Sequence, residues 1–305
     1  MSKQPTMLQQ FRSFCYQNSA TNLEVALEYF AVFGGMGWRV DLSKPLDVLI
    51  EEKVLNNYRY IHGDTTKITN SKEIHHKILS ALAVGDRREH SAFKKAQVDK
   101  RYGEESVDFL VEEGLLVTDV SVKKPVRDHD KVSNKLLFAQ PFMRFWFAVI
   151  SPYYKGIKAG EYDEVKERWA NMRGEFTNLI YQQLFMELVS MSASEDDPIV
   201  KIGGYWDTKV EIDLLAKTQS GKFIAGACKF SKSKANRNEL TKLKEKCKQA
   251  ELEVDAFVLF SKNKFSTELK KEKSENLHLF SLKSLGHLLF ELTSEDMLVN
   301  TNKKY

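Results

Sequence analysis

The block from Ile199 to Ser261 constrains the fold more than any other part of the chain. Three extended runs, Ile199 to Tyr205, Lys209 to Lys217 and Lys222 to Phe230, follow one another across short turns. The turns hold Trp206-Asp207 and Thr218-Gln-Ser-Gly221. Asn236 to Glu251 reads as a helix rich in lysine, and Val254 to Ser261 contains FVLF, apolar on both faces as in a buried strand. Phe176, Leu179, Ile180, Leu184 and Leu188 place an amphipathic helix ahead of the block. A basic turn (Lys262 to Lys273), a strand (Leu277 to Phe280) and a last helix from Ser281 follow it. The order α-β-β-β-α-β, then strand and helix, predicts an α/β domain with a mixed central sheet inside an α+β multidomain chain.

With 305 residues the chain holds about two or three domains. Residues 1–70 read as helical, with Leu23, Ala26, Leu27 and Phe30 at helical spacing, a break at Gly34-Gly35-Met36-Gly37, a helix from Pro45 and an extended run from Val54 to Ile61. That order admits a small winged-helix unit or a plain helical cap. The G-G-x-G follows a helix rather than a strand, so it is no dinucleotide fingerprint. Residues 71–142 give a helix through Ile74, Ile78, Leu79 and Leu82, a turn at Gly85-Asp86, and a basic segment with Lys94, Lys95, Lys100 and Arg101. A third helix follows Gly103, and strands at Leu115–Val117 and Leu136–Phe138 flank a polar stretch with Lys123, Lys124, Arg127 and Lys131. Three helices and a basic-tipped hairpin predict a winged helix-turn-helix, in which a helix enters the major groove and the wing touches phosphate. Residues 143–171 form an aromatic bridge, 172–292 the last domain and 293–305 a tail. PFMRFWF, starting at Pro141, favours a core over a base-stacking platform, with Arg144 available to a carboxylate.

Cys15, Cys228 and Cys247 are odd in number and contain no C-x-x-C, which encodes neither a disulfide framework nor a cysteine zinc site. The N-terminus lacks the apolar run of a signal peptide, and no stretch reaches the roughly 20 apolar residues of a membrane span. A cytoplasmic protein with no membrane partner is the expectation. A net charge of +4 is too small to identify a nucleic-acid binder by itself. No histidine has metal-ligand spacing to a second ligand.

One constellation carries chemistry. Glu211 and Asp213 stand at i and i+2 of a strand and are expected on one face. Ala227 and Lys229 share a face of the next strand. Carboxylate oxygens hold Mg²⁺, which activates water and stabilises an in-line displacement at phosphorus. A lysine neutralises the pentavalent phosphate. The bland reading is a solvated sheet edge with alternating charges.

An acid in one strand and an acid-x-Lys in the next resemble the PD-(D/E)XK nuclease fold. Asp213 matches the first acid and Lys229 the lysine, while Ala227 stands where Glu or Asp is expected. Glu211 is the candidate replacement ligand, and Glu175 the loose counterpart of the family's helix glutamate. Narrower still, PFMRFWF, YYKGI, GGYWDTKVEIDLLA and GACKF after a winged helix resemble the C-terminal half of archaeal and bacterial P-loop ATPases, the domain of unknown function 234. The resemblance runs over about residues 71–290. Gln140 replaces the aspartate usual before Pro141, and no G-x-x-x-x-G-K-[ST] is present. It implies a restriction-endonuclease-like domain and a DNA-associated role.

The functional expectation is a DNA-binding protein that, if active, is a Mg²⁺-dependent nuclease with Asp213 and Glu211 on the metal and Lys229 on the phosphate. DNA contacts are expected from Lys94, Lys95, Lys100 and Arg101, and from Lys232, Lys234, Arg237 and Lys242 around the lysine-rich helix. The alternatives are a catalytically inactive DNA- or protein-binding module, partnered by a separate ATPase, and a winged-helix transcription regulator. A homodimer is compatible with all three.

Overall fold

The computed structural model describes residues 5–123, 132–231, 233–289 and 291–298. The chain divides into two compact units. Met1–Asp119, Ser133–Ile180 and Glu291–Tyr305 make the first, and Val120–Val132 with Tyr181–Phe290 the second.

The first unit begins with α1 (Met7–Gln17), started by a capping box in which Thr6 and Gln9 satisfy each other's backbone N–H groups. α2 (Leu23–Phe33) follows and stops at Gly34. α3 (Leu46–Ile50) begins after Pro45 and runs into a π-helical turn at Glu51–Leu55, then α4 (Tyr58–Ile68). The run Val54 to Ile61, expected to be extended, is therefore helical. Val54, Tyr58 and Ile61 are all buried, at i, i+4 and i+7. That helical period decides against an extended run. No hairpin follows α3, so residues 5–70 lack the winged-helix order and match the helical-cap alternative.

α5 (Glu73–Ala83), α6 (Glu89–Ala96) and α7 (Lys100–Glu112) precede the antiparallel pair β1 (Leu116–Asp119) and β2 (Lys135–Phe138). Arg88 adds a single antiparallel bridge to Lys135. Asp99 caps α7 by accepting from Arg101 N, so the helix starts before Gly103 rather than after it. Gly103 is needed inside the helix because a Cβ there would lie 2.7 Å from the Phe93 ring of α6.

α8 (Pro141–Phe145), a second π-helical turn (Trp146–Ile150), α9 (Tyr154–Ala159) and the start of α10 (Asp163–Met191) complete the unit. The aromatic run is core, as its composition suggested. Phe142, Phe145, Trp146 and Phe147 are at most 1% exposed. Trp38 meets Phe142 edge-on at 5.0 Å, Tyr58 stacks on Trp146 at 5.6 Å, and Phe145 meets Trp169 at 5.3 Å. Each such ring removes about 150–250 Å² from water, so none of this surface is open to bases. Arg144 is buried among these rings. Its guanidinium lies 4.0 Å from the centre of Phe176 and donates to Glu175 Oε1 at 2.5 Å and to Ala83 O at 3.3 Å. Burial pulls its pKa down to about 10 while Glu175 pulls it up, so it remains a cation at neutral pH.

The second unit is a three-layer arrangement about one sheet. Its strands are β3 (Ile199–Trp206), β4 (Glu211–Thr218), β5 (Phe223–Lys229), β6 (Ala256–Ser261) and β7 (Leu277–Ser281), in that spatial order. The short turns make β3, β4 and β5 antiparallel neighbours. β6 pairs parallel to β5, which a turn cannot connect, and α11 (Arg237–Gln249) makes the crossover. α12 (Thr267–Lys271) lies between β6 and β7, which is also parallel, and α13 (Leu282–Gly286) follows. Tyr181 and Phe185, on the part of α10 in this unit, pack against Phe260, and Phe185 also against Phe280. Leu240, Leu243 and Cys247 of α11 cluster with Leu215, Ala225 and Leu259. Val258, Leu259 and Phe260 are all at most 3% exposed, which explains why β6 is apolar on both faces.

The segment after β1 lies along the outer edge of this sheet. Val122 N donates to Gly204 O at 3.0 Å, and Lys201 Nζ donates back to Val122 O at 2.6 Å. Lys123, expected at a phosphate-touching wing, stands over the Phe223 ring instead. Lys124, Arg127 and Lys131 lie outside the described residues.

The Arg144 cluster yields an ordered expectation. Glu175→Ala leaves a buried cation without its carboxylate and lowers the unfolding free energy by about 2–3 kcal/mol. Arg144→Met keeps the stem packing, removes the charge and costs within about 1 kcal/mol. Urea unfolding of both variants checks the order, and a larger loss for Arg144→Met contradicts it.

Candidate functional site

The site residues are set by β4, β5 and the first turn of α11. Asp213 lies where the β3–β4 register slips: Gly203 faces Leu215 while Tyr205 faces Ile212. β4 thus carries one extra residue, a bulge that takes in Asp213. Its Oδ2 accepts from Cys228 N at 2.8 Å, across on β5. Gln182 Nε2 of α10 donates to Asp213 O at 3.0 Å. The neighbouring Gly226 is required, because a Cβ there would lie 2.7 Å from Val258 and 3.0 Å from Leu214.

Lys229 ends β5. Its Nζ lies 2.5 Å from Glu239 Oε1 on α11, with side-chain exposures of 18% and 26%. Glu239 is the neighbour of Lys229 that sequence reading missed. The available signal was its place one turn into the helix that follows the lysine strand. Asn236 caps that helix by accepting from Asn238 N, which fixes where the first turn starts. Glu211 is exposed, and its carbonyl accepts from Lys246 Nζ at 2.9 Å.

The donor set does not fit the expected Mg²⁺. Position 227 is alanine, one Asp213 oxygen is occupied by an amide N–H, and Lys229 is neutralised from the helix. Among the described residues no three His, Cys, Asp or Glu side chains are grouped to hold a metal ion. Glu175, the loose counterpart of a helix glutamate, is engaged by Arg144.

The basic residues separate into two sets. Lys94 and Lys95 are exposed in the last turn of α6. Lys100 and Arg101 are exposed at the start of α7 but pair one turn on with Glu104 at 3.6 Å and Glu105 at 3.2 Å. Asp108 and Glu112 are also exposed there, so acids outnumber bases on α7. α11 is the opposite. Leu240, Leu243 and Cys247 turn inward, while Lys242, Lys244, Lys246 and Lys248 are exposed. Lys234 is exposed just ahead of the helix. Arg237 pairs with Glu272 at 3.0 Å, and Lys244 also stands over Phe257 at 5.4 Å. Lys232 lies outside the described residues.

His75 and His76 are engaged by the chain itself. His75 Nδ1 meets Thr69 O at 2.9 Å and His76 Nε2 meets Thr69 Oγ1 at 2.6 Å. Among the described residues no helix is long and apolar enough to cross a membrane.

Residues 146–242 match the family described as archaea bacterial proteins of unknown function, the domain of unknown function 234. The match runs from the second π-helical turn into α11, less than half of the chain, and is narrower than the 71–290 expected from the motifs. No curated protein matches the chain. No solved structure matches it.

The thiols give a test of the local chemistry. Burial, then the Asp213 charge, pushes the Cys228 thiol far up. Burial also raises Cys15 and lifts Cys247 to about 11. A raised thiol pKa keeps the proton on at neutral pH and removes the reactive thiolate. Ellman's reagent at pH 7.5 is therefore expected to titrate none of the three thiols quickly in the native chain, and all three after denaturation. Rapid modification of Cys228 in the native state contradicts this environment.

Proposed function

We propose that the chain binds DNA through its second unit, a PD-(D/E)XK-like domain that keeps the nuclease scaffold without cutting. The carrying observation is the outward face of α11, where Lys242, Lys244, Lys246 and Lys248 are exposed with Glu245 the one acid among them. The order α10-β3-β4-β5-α11-β6, antiparallel and then parallel, supports the scaffold reading. So do the positions of Asp213 and Lys229 on adjacent strands. Alanine at 227 and the Glu239–Lys229 pair support binding without hydrolysis.

Lys242 with Lys246 and Lys244 with Lys248 stand one turn apart as two pairs on the exposed surface of α11. Lysines so placed contact phosphates rather than base edges, so the binding is sequence-tolerant and steeply salt-dependent. In the first unit, α5 to α7, β1, β2 and the Arg88 bridge support a winged-helix reading. The acids on α7 repel phosphate, however, so that helix is assigned no DNA contact. A protein partner, such as a separate ATPase, suits it better.

Fluorescence anisotropy with labelled duplex DNA across a salt series tests the proposal. Each phosphate contact contributes about 0.9 to the slope of log K against log salt. The Lys242→Ala/Lys248→Ala protein is expected to lower that slope by about two and to weaken binding equally on unrelated sequences. Lys100→Ala/Arg101→Ala leaves both unchanged. DNA incubated with Mg²⁺ or Mn²⁺ stays uncut by the wild type. Cleavage that Asp213→Ala abolishes would show an active nuclease instead, and cleavage gained by Ala227→Glu would show that one carboxylate separates the scaffold from the enzyme.

A further inference from the structure

A cavity of about 160 Å³ opens within the first unit, between α1, the glycine turn after α2, and the end of β2. An engineered cavity of about 150 Å³ accommodates benzene, so the space admits one six-membered ring. Phe14 and Phe33 give it apolar walls, and Gln10, Ser13, Gln17 and Gln140 give it a polar edge. No charged side chain is among its described lining residues.

Most of the polar edge is committed to holding the walls in place. Gln10 Nε2 donates to Ala139 O at 2.8 Å, Gln17 Nε2 to Gly37 O at 2.7 Å, and Ser13 Oγ accepts from Leu298 N at 3.1 Å. Two groups are left over. Gln10 Oε1 is buried with no hydrogen-bond partner, an unusual state for an amide oxygen. The half-buried Gln140 side chain makes no hydrogen bond with the described residues. Gly35 lets Gln140 lie along the cavity: at φ +85° it has the left-handed backbone that favours glycine, and a Cβ there would sit 2.7 Å from Gln140 Cγ. A second cavity of about 260 Å³ meets the first across the same two residues, Gly35 and Gln140.

A carboxamide offers one N–H donor beside one C=O acceptor, in plane. Its complement is the same pair reversed, the edge of a lactam. We propose that this cavity binds a small neutral ring bearing a lactam edge, read by the Gln140 carboxamide between the Phe14 and Phe33 walls. Such a ring is available free or as a pyrimidine base carried on a sugar.

The test titrates uracil, uridine and benzene into the full chain by calorimetry, with the wild type, Gln140→Leu and Gln140→Glu. Uracil is expected to bind the wild type and to weaken by about tenfold or more in Gln140→Leu, which loses a pair of hydrogen bonds. Benzene, which makes none, is expected to bind Gln140→Leu no more weakly than the wild type. Gln140→Glu keeps the side-chain shape and removes the donor, so it is expected to weaken uracil as well, which answers any folding defect in the leucine variant. Uridine binding as well as uracil assigns the pocket to a base on a sugar, and weaker uridine binding assigns it to the free ring. No heat from uracil at millimolar concentration, or equal uracil affinity in all three proteins, overturns the proposal.

Discussion

The change from antiparallel to parallel pairing at β5 governs the second unit. β3, β4 and β5 are joined by turns, but β6 runs parallel to β5 and is reachable only by a crossover. α11 is that crossover. Its apolar row, Leu240, Leu243 and Cys247, has to cover the sheet, so its lysines have to face water. The same geometry brings the first turn of α11 to the end of β5, where Glu239 meets Lys229. Scaffold, ion pair and basic surface follow from one connection.

That connection also sets the surroundings of Lys229, on which the proposal of binding without hydrolysis rests. An acid-x-Lys strand brings its own carboxylate to the lysine. Here the strand offers Ala227, and the carboxylate beside Lys229 comes from the helix. A lysine held in such a pair has less positive charge to offer an attacked phosphate. The exposed charge is displaced outward, to Lys242, Lys246 and Lys248. On α7 the charge has the opposite sign, with Lys100 and Arg101 tied to glutamates one turn away.

The first unit rests on a different principle, aromatic burial around one cation. Phe142, Phe145, Trp146 and Phe147 lie in or beside the second π-helical turn, and nearly all of their surface is lost to water. Arg144, in the middle of the run, is tolerated because Glu175 and the Phe176 face compensate its charge.

Much of this was legible in the chain itself. Strand order, the helix between β5 and β6, the buried character of FVLF and the core role of PFMRFWF are all consequences of local period and connection length. Both acid and lysine of the site could be placed on adjacent strands for the same reason. Val54 to Ile61 misled because a short run with apolar ends satisfies either reading until burial decides, and Gly103 misled because a glycine inside a helix breaks nothing when a neighbouring ring needs the space. The sequence by itself determined which residues are available: the alanine at 227, the lysines of α11, the acids of α7. Only the tertiary structure decided what they do. The β4 bulge that turns Asp213 toward Cys228 N, the Glu239 carboxylate beside Lys229 and the Gln140 amide along its cavity join positions that no local period relates. Such contacts depend on how elements pack, and packing is a property of the whole core rather than of any segment.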